Sequence, residues 1–250
     1  MKVILNSDLV SSDGRGLLES GWLTGDGVFE TIKTVNKLPY SLARHLDRAR
    51  LAAHALEIPM PEREEIEVAV DAILSNQGFP TGMLRISFGR DGQWLVAHMS
   101  YEEITTAAKV RLHPELIDGH QCKIFPYSER LDILHQARAA GFDDALVCNK
   151  RELISEGSVT NFIAQINGQW ITPPISDGAL PGIMRGILLE NNLVVEKSIS
   201  RNDIMTISSA FLLSSLRIAQ PVESIEGRSL DLSLDLGAQI HALAVKYSVG

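Results

Sequence analysis

The chain has 250 residues, a formal net charge of −8 from 23 Lys and Arg against 31 Asp and Glu, and 45% apolar against 22% charged residues. Such a balance belongs to a globular protein with a substantial core, in one large α/β domain or two modest ones, and excludes disorder. The acidic charge and the absence of any Lys/Arg cluster exclude a nucleic-acid scaffold, although single arginines can still hold small anions.

In chain order, residues 2–6 read as a short strand that turns at Asn6-Ser-Asp into a second extended segment, an edge hairpin. With one lysine and no long apolar run, residues 1–10 are neither a signal peptide nor a membrane span. A glycine-punctuated loop at 14–21 leads to a strand over 28–35, and Gly25 and Gly27 permit tight backbone conformations before it. After the turn Asn36-Lys-Leu-Pro, the spacing of Leu42, Leu46, Ala49, Ala53 and Leu56 predicts a helix over 41–56. His45 and Arg48 share one of its faces, where Arg48 either reaches an anion or makes a surface ion pair. A second amphipathic helix spans 62–76, with Ile66, Val68, Val70, Ile73 and Leu74 on its apolar side. Strands at 83–88 and 94–99 are joined by the hairpin Gly89-Arg-Asp-Gly-Gln, and a third at 109–113 is expected to complete an antiparallel sheet. These elements make a first domain of residues 1–114, followed by a polar linker at 115–122.

The second half, 123–250, begins with a helix over 128–140 whose expected face is Leu131, Leu134, Ala137 and Ala140. Strands follow at 144–148, 152–154, 160–166 and 169–172, the last two joined by the hairpin signal Asn167-Gly168. The loop 173–182 feeds a helix over 183–191, whose start aims backbone N–H groups and the positive dipole end at one point. That is either an anion cup or an ordinary loop before a helix. An apolar strand at 208–214 and a helix at 230–245 close the chain. Cys122 and Cys148 show no disulfide framework, which fits a reducing cytoplasm. The spacing of His113, His120 and Cys122 matches no standard metal site, so no metal is expected.

Lys123 and Glu156 flank the first helix and strand of this half. A lysine amine forms an imine with an aldehyde, and a carboxylate can hold the protonated ring nitrogen of pyridoxal phosphate (PLP). Lys123 is one of eight lysines, and its nearest rival, Lys150, falls in the turn Asn149-Lys-Arg-Glu, where an amine stays solvated.

Taken together, Gly25-Asp-Gly-Val-Phe-Glu-Thr31, His45-Leu-Asp-Arg48, Lys123 with Gly141-Phe-Asp-Asp-Ala-Leu146, Ser155-Glu-Gly-Ser-Val-Thr-Asn-Phe162 and Leu180-Pro-Gly-Ile-Met-Arg185 form an ordered set. The set resembles the motifs of the class IV PLP-dependent aminotransferases and lyases, the enzymes of fold type IV. The resemblance implies a two-domain α/β (α+β) fold, with a small N-terminal α/β sandwich and a larger C-terminal α/β pseudo-barrel. It also implies pyridoxal 5′-phosphate as cofactor, a small-molecule amine substrate and a homodimer. By it, Lys123 is the Schiff-base lysine, Glu156 pairs with the ring nitrogen and Asn161 lies in the same motif. Arg48, the backbone N–H groups of Ile183 and Met184, and the hydroxyl of Ser215 are the implied phosphate ligands. One departure stands beside the lysine: the family commonly continues with a small hydroxyl residue, a leucine and a polar residue, whereas this chain has Ile124, Phe125 and Pro126.

Within the family, Phe29-Glu-Thr31 resembles the 4-amino-4-deoxychorismate lyases, in which Thr31 would steer a proton or hydrogen-bond the substrate. That lyase, which releases 4-aminobenzoate and pyruvate, is the first expectation. An aminotransferase acting on branched-chain or D-amino acids is the alternative, and a non-catalytic PLP-binding relative is a third.

Overall fold

The computed structural model describes residues 2–11, 23–119 and 121–248, so the glycine loop expected at 14–21 lies outside the described residues. Contacts divide the chain into two compact units. One comprises Met1–Glu103, Cys122–Ser128 and Val245–Gly250, and the other Ile104–Gln121 and Glu129–Ala244.

The first unit contains β1 (Lys2–Leu5), β2 (Asp8–Ser11), β3 (Gly27–Val35), β4 (Leu38–Pro39), helices α1 (Leu42–Ala55) and α2 (Arg63–Asn76), then β5 (Thr81–Gly89) and β6 (Trp94–Ser100). The strands run in the order β2-β1-β6-β5-β3-β4 with antiparallel pairing. Side chains alternate faces along a strand, so the register of β3 against β5 sorts two sets. Val28↔Phe88, Glu30↔Ile86 and Ile32↔Leu84 share one face, and Phe29↔Ser87 and Thr31↔Arg85 share the other. The first face packs under α1 and α2, through residues such as Leu46, Ala49, Ile66 and Ile73. Val68, expected in that core, is 69% exposed. The buried stripe of α2 is Ile66, Val70, Ile73 and Leu74 at helical spacing, and a residue two positions from Ile66 points away from it.

The strand expected at 109–113 exists as β7 (Ala108–Leu116), but it does not complete the first sheet. It is parallel to two strands of the second unit, and a break near residue 114 would cut through it. The first sheet instead gains β8 (Ile124–Phe125), paired with β3 through Gly27↔Phe125 and Val28↔Ile124. Lys123, expected to open the second domain, therefore belongs with the first sheet.

The second unit adds α3 (Ser128–Ala139), β9 (Asp144–Cys148), β10 (Ile154–Gly157), β11 (Asn161–Ile166), β12 (Gln169–Thr172), α4 (Ile183–Glu190), β13 (Val195–Glu196), β14 (Ile207–Ser214), β15 (Ile218–Ile225), β16 (Arg228–Ser229) and α5 (Leu234–Lys246). Its mixed sheet runs β10-β9-β7-β15-β14-β11-β12-β13, with β16 on β15. One face buries Leu146, Cys148, Phe162, Ala164, Ala210 and Leu212. On the other, Ala145 and Val147 of β9 pack against Ile133 and Ala137 of α3. The face of α3 is thus Arg130, Ile133, Leu134 and Ala137, about one position round from the expected one. The strand expected at 152–154 starts at Ile154, because Glu152 closes a turn onto the Asn149 carbonyl with φ 57°. Residue 230 lies outside any helix, its N–H donating to the Glu223 carbonyl at 2.8 Å, and the last helix begins at Leu234. The turn Asn167-Gly168 has positive φ at both residues, as its hairpin requires.

Gly27 shows why β8 can lie so close. A Cβ there would overlap the Phe88 carbonyl oxygen and the Phe125 ring. We expect Gly27→Ala to destabilise the fold by about 1–3 kcal/mol, the range for overpacking a close contact. Urea unfolding checks this, and an unchanged midpoint would show that the contact relaxes freely.

Candidate active site

In the first unit, the Lys123 carbonyl accepts the Phe29 N–H at 2.9 Å, which fixes the lysine beside β3. Its Nζ lies 4.5 Å from the centroid of the Phe29 ring and 4.7 Å from that of Tyr127. Those two rings meet edge to face at 5.1 Å. The unusual Ile124-Phe125-Pro126 supplies this arrangement: Ile124 and Phe125 form β8, and Phe125 is buried in the same cluster as Phe29.

On the same face of the sheet, the Arg85 guanidinium lies 3.4 Å from the Phe29 centroid. Its Nη1 donates to Thr31 Oγ1 at 3.3 Å and its Nε to Ser87 Oγ at 3.4 Å, while Nη2 is buried without a hydrogen-bond partner. Burial lowers Arg85 to about 9, against the pull of Tyr127 and Glu30, so it is charged at neutral pH. No carboxylate forms an ion pair with it among the described residues. A desolvated cation with an unused N–H is suited to an anion.

The opposite face of β3 carries Glu30, which binds two residues of α1. His45 Nδ1 is 2.6 Å from Oε2, and Arg48 donates Nε to Oε1 at 2.8 Å and Nη2 to Oε2 at 2.5 Å. The shared face of His45 and Arg48 is therefore real, and the Arg48 guanidinium is oriented by a fork-to-fork pair. Burial pushes Glu30 up from 4.5, but the Arg48 charge and the His45 contact outweigh it and leave the carboxyl at about 2. For His45 burial dominates and lowers the imidazole, so the neutral ring donates its Nδ1–H and Arg48 is the lasting positive partner.

In the second unit, the pairing of β10 with β9 shifts between Ile154↔Cys148 and Glu156↔Val147. This bulge sends Ile154 to the apolar core and Glu156 to the face covered by α3. There Arg130 Nη2 lies 3.1 Å from Glu156 Oε1. Oε2 accepts the Leu180 N–H at 3.0 Å and lies 3.3 Å from Asn161 Nδ2, which also donates to the Leu180 carbonyl at 2.9 Å. Arg130 Nη1 is buried and unpartnered. Glu156 and Asn161 thus come together, as their shared motif suggested.

Asn161 pairs with Leu213 and Ser214 with Ile218, so the start of β11 and the turn bearing Ser215 lie at one end of the sheet. Gly182, the N-cap of α4, is at this end too, since a Cβ on it would overlap Asn161 Oδ1. A glycine cap offers no side-chain acceptor, and the N–H groups of Ile183 and Met184 have none within the helix. Helix-terminal amides and a hydroxyl are what a phosphate needs.

Arg85, Arg130 and Tyr127 were missed from the sequence. Arg130 carried a readable signal, because with Ile133, Leu134 and Ala137 it makes an i, i+3, i+4, i+7 stripe. Lys150 is solvated as expected, its side chain 76% exposed and 2.8 Å from Asp118.

Comparison with known proteins now identifies the lineage. The family profile described as "Amino-transferase class IV" matches residues 27–225, and the chain belongs to that family. Its cofactor is pyridoxal 5′-phosphate. A Methanocaldococcus jannaschii protein provisionally named branched-chain-amino-acid aminotransferase is 26% identical over 262 residues, spanning 92% of this chain and 90% of the relative. An aminotransferase of Brucella abortus bound to PLP superposes with a TM-score of 0.83 at 19% identity, covering 99% of this chain and 98% of that one. A Legionella pneumophila chain provisionally described as 4-amino-4-deoxychorismate lyase gives 0.83 at 22% identity, covering 95% and 96%. These likenesses establish fold type IV. Among the described residues, no helix is long and apolar enough to cross a membrane.

A carboxyl whose folded value lies below its unfolded one stabilises the fold above the unfolded value and loses that contribution as the pH falls. For Glu30 the loss runs from about 4.5 to about 2. Glu30→Gln should cost about 3–5 kcal/mol at neutral pH by leaving Arg48 without its buried counter-ion. In urea unfolding, the gap from wild type should narrow below about pH 4.5. A gap constant across that range would rule out the ionised Glu30.

Proposed function

We propose that this chain is a PLP-dependent 4-amino-4-deoxychorismate lyase, a cytoplasmic homodimer that releases 4-aminobenzoate and pyruvate. The observation that carries this reading is the Arg85–Thr31 pair on the sheet face shared with Lys123. Arg85 offers a buried, unused N–H to a substrate carboxylate. Thr31 Oγ1 accepts from Arg85, which leaves its own proton to donate.

The residues present fit the cofactor. Glu156, braced by Arg130 and the Leu180 N–H, would hold the ring-nitrogen proton. The amides of Ile183 and Met184, the Ser215 hydroxyl and the Glu30-oriented Arg48 would hold the phosphate, with Asn161 keeping Glu156 and Leu180 in place. Bound PLP supplies the aldehyde and an electron sink for deprotonation beside the substrate amine. Lys123 would hold the aldehyde and, as the general base, take the proton from the carbon bearing the substrate amine. The proton goes to the methylene of the departing enolpyruvyl group, which leaves as pyruvate while the ring becomes aromatic. The Phe29 and Tyr127 rings flank the amine. Thr31 is read as the hydroxyl that orients the leaving group.

A second reading, amino transfer, is supported by the branched-chain aminotransferase name of the Methanocaldococcus jannaschii relative. It would use the same residues, with Lys123 moving the proton and no enolpyruvyl group expelled.

Protein supplied with PLP should show a visible absorbance band that Lys123→Ala lacks, and its absence from wild type would leave only a non-catalytic relative. Pyruvate release from 4-amino-4-deoxychorismate should exceed amino transfer from glutamate, leucine and D-alanine; robust transfer without pyruvate would select the second reading. Arg85→Gln should raise KM for the carboxylate-bearing substrate by about tenfold or more, the size of one hydrogen bond to a charged group. Size-exclusion mass measurement of the active species tests the homodimer.

A further inference from the structure

Asp144 opens β9 and is fully buried, yet the proposed chemistry does not use it. Its carboxylate is surrounded by donors. Oδ1 accepts the N–H groups of Ala145 at 2.9 Å and Ser158 at 3.0 Å, together with the Ser158 hydroxyl. Oδ2 accepts the Thr160 hydroxyl at 3.3 Å and Arg217 Nη1 at 3.0 Å. Ser158 and Thr160 lie in the segment between Glu156 and Asn161. Arg217 closes the turn that carries Ser215, and its own N–H donates to Ser214 Oγ at 3.1 Å. Nη1 is shared with Gln220 Oε1 at 3.0 Å, and Gln220 Nε2 in turn donates to the Thr106 carbonyl at 3.1 Å.

The next residue, Ile218, sits at φ 60°. The left-handed region is disfavoured for a β-branched side chain, so surrounding contacts must hold the turn in that shape. The Arg217–Asp144 ion pair, with side chains 7% and 0% exposed, is such a contact.

We propose that Asp144 and Arg217 are positioning residues. Together they clamp the Glu156–Asn161 segment and the strained Ser215 turn into one unit, and so set the spacing between the carboxylate for the cofactor's ring nitrogen and the hydroxyl for its phosphate. The proposal deepens the functional reading and rests on Ser215 being a phosphate ligand. A desolvated carboxylate with five donors, one of them the Arg217 cation, is a rigid joint, whereas a simple surface pair would let the turn relax.

The test compares the affinities of the apoprotein for PLP and for pyridoxal, which lacks the phosphate, by absorbance titration. Loss of packing lowers both affinities alike, while loss of phosphate positioning lowers their ratio. Ser215→Ala should lower the PLP-to-pyridoxal ratio by about tenfold, the size of one hydrogen bond to a charged group. Arg217→Gln should produce a comparable fall with the pyridoxal affinity unchanged, and Arg217→Lys, which keeps the cation but not the rigid planar guanidinium that Asp144 and Gln220 share, a smaller one. Should Arg217→Gln fail to fold, the Arg217→Lys ratio decides alone. An unaltered ratio in the Arg217 variants, with Ser215→Ala lowering it, overturns the positioning role. An unaltered ratio in Ser215→Ala overturns the proposal differently, by removing the phosphate reading beneath it.

Discussion

The direction of the Glu156 side chain is set by one extra residue in β10. Residues two apart on a regular strand point the same way, so Ile154 and Glu156 would both face the apolar core. The bulge between them breaks that rule, matching Ile154 to Cys148 and Glu156 to Val147. Without it a carboxylate would sit among Leu146's neighbours with no donor, at a cost no small domain sustains. With it, Glu156 meets Arg130 on α3 and the Leu180 N–H. The same ladder ends on Asp144, whose carboxylate receives the Ser158 N–H just after β10. The setting of Glu156 and the donors on Asp144 thus depend on one pair of strands.

Buried arginines show how charge is apportioned. Arg48 faces Glu30, Arg130 faces Glu156 and Arg217 faces Asp144, each carboxylate itself buried. Such pairs stabilise modestly at best, but removing one partner leaves an uncompensated charge. They therefore read as devices that fix geometry. Arg85 differs, because its charge is met only by hydroxyls and the Phe29 ring among the described residues. Arg85, a desolvated cation with an unused N–H, is the one among these arginines that the proposed reading assigns to a substrate carboxylate.

Local periodicity made most of the fold legible. Alternation along β3 and β5, the spacing of α1, and the Asn167-Gly168 turn all reflect rules that act within a few residues. What failed was non-local. Nothing in residues 108–116 says that β7 runs parallel to β9 and β15 rather than joining β6. β15 contains Pro221, which argues against a strand, although it pairs with Phe211 in the finished sheet. The motif order set Lys123, Glu156 and Asn161 apart as candidates, and the structure brings Glu156 and Asn161 together. Arg85 gave no such signal, since a charged residue within a strand reads as solvated until tertiary packing covers it, whereas Arg130 falls on the buried stripe that its helical spacing marks.

The first unit poses the complementary problem, in which one strand must serve two faces. Phe29 and Thr31 point to Lys123 and Arg85, while Glu30 between them points to His45 and Arg48. A slip of one residue in the register of β3 would exchange these sets, turning Phe29 away from Lys123 and Glu30 away from His45 and Arg48. The β5 pairing alone does not place the amine. The Phe29 N–H to Lys123 carbonyl bond and the Gly27↔Phe125 contact do, because they tie the lysine's backbone to the strand whose register must hold. Phe125 can approach only where Gly27 lacks a side chain. The residues after Lys123 that depart from the family's usual pattern are therefore the ones that lock β3 in register, so the position of the amine and the sorting of the two faces are a single constraint.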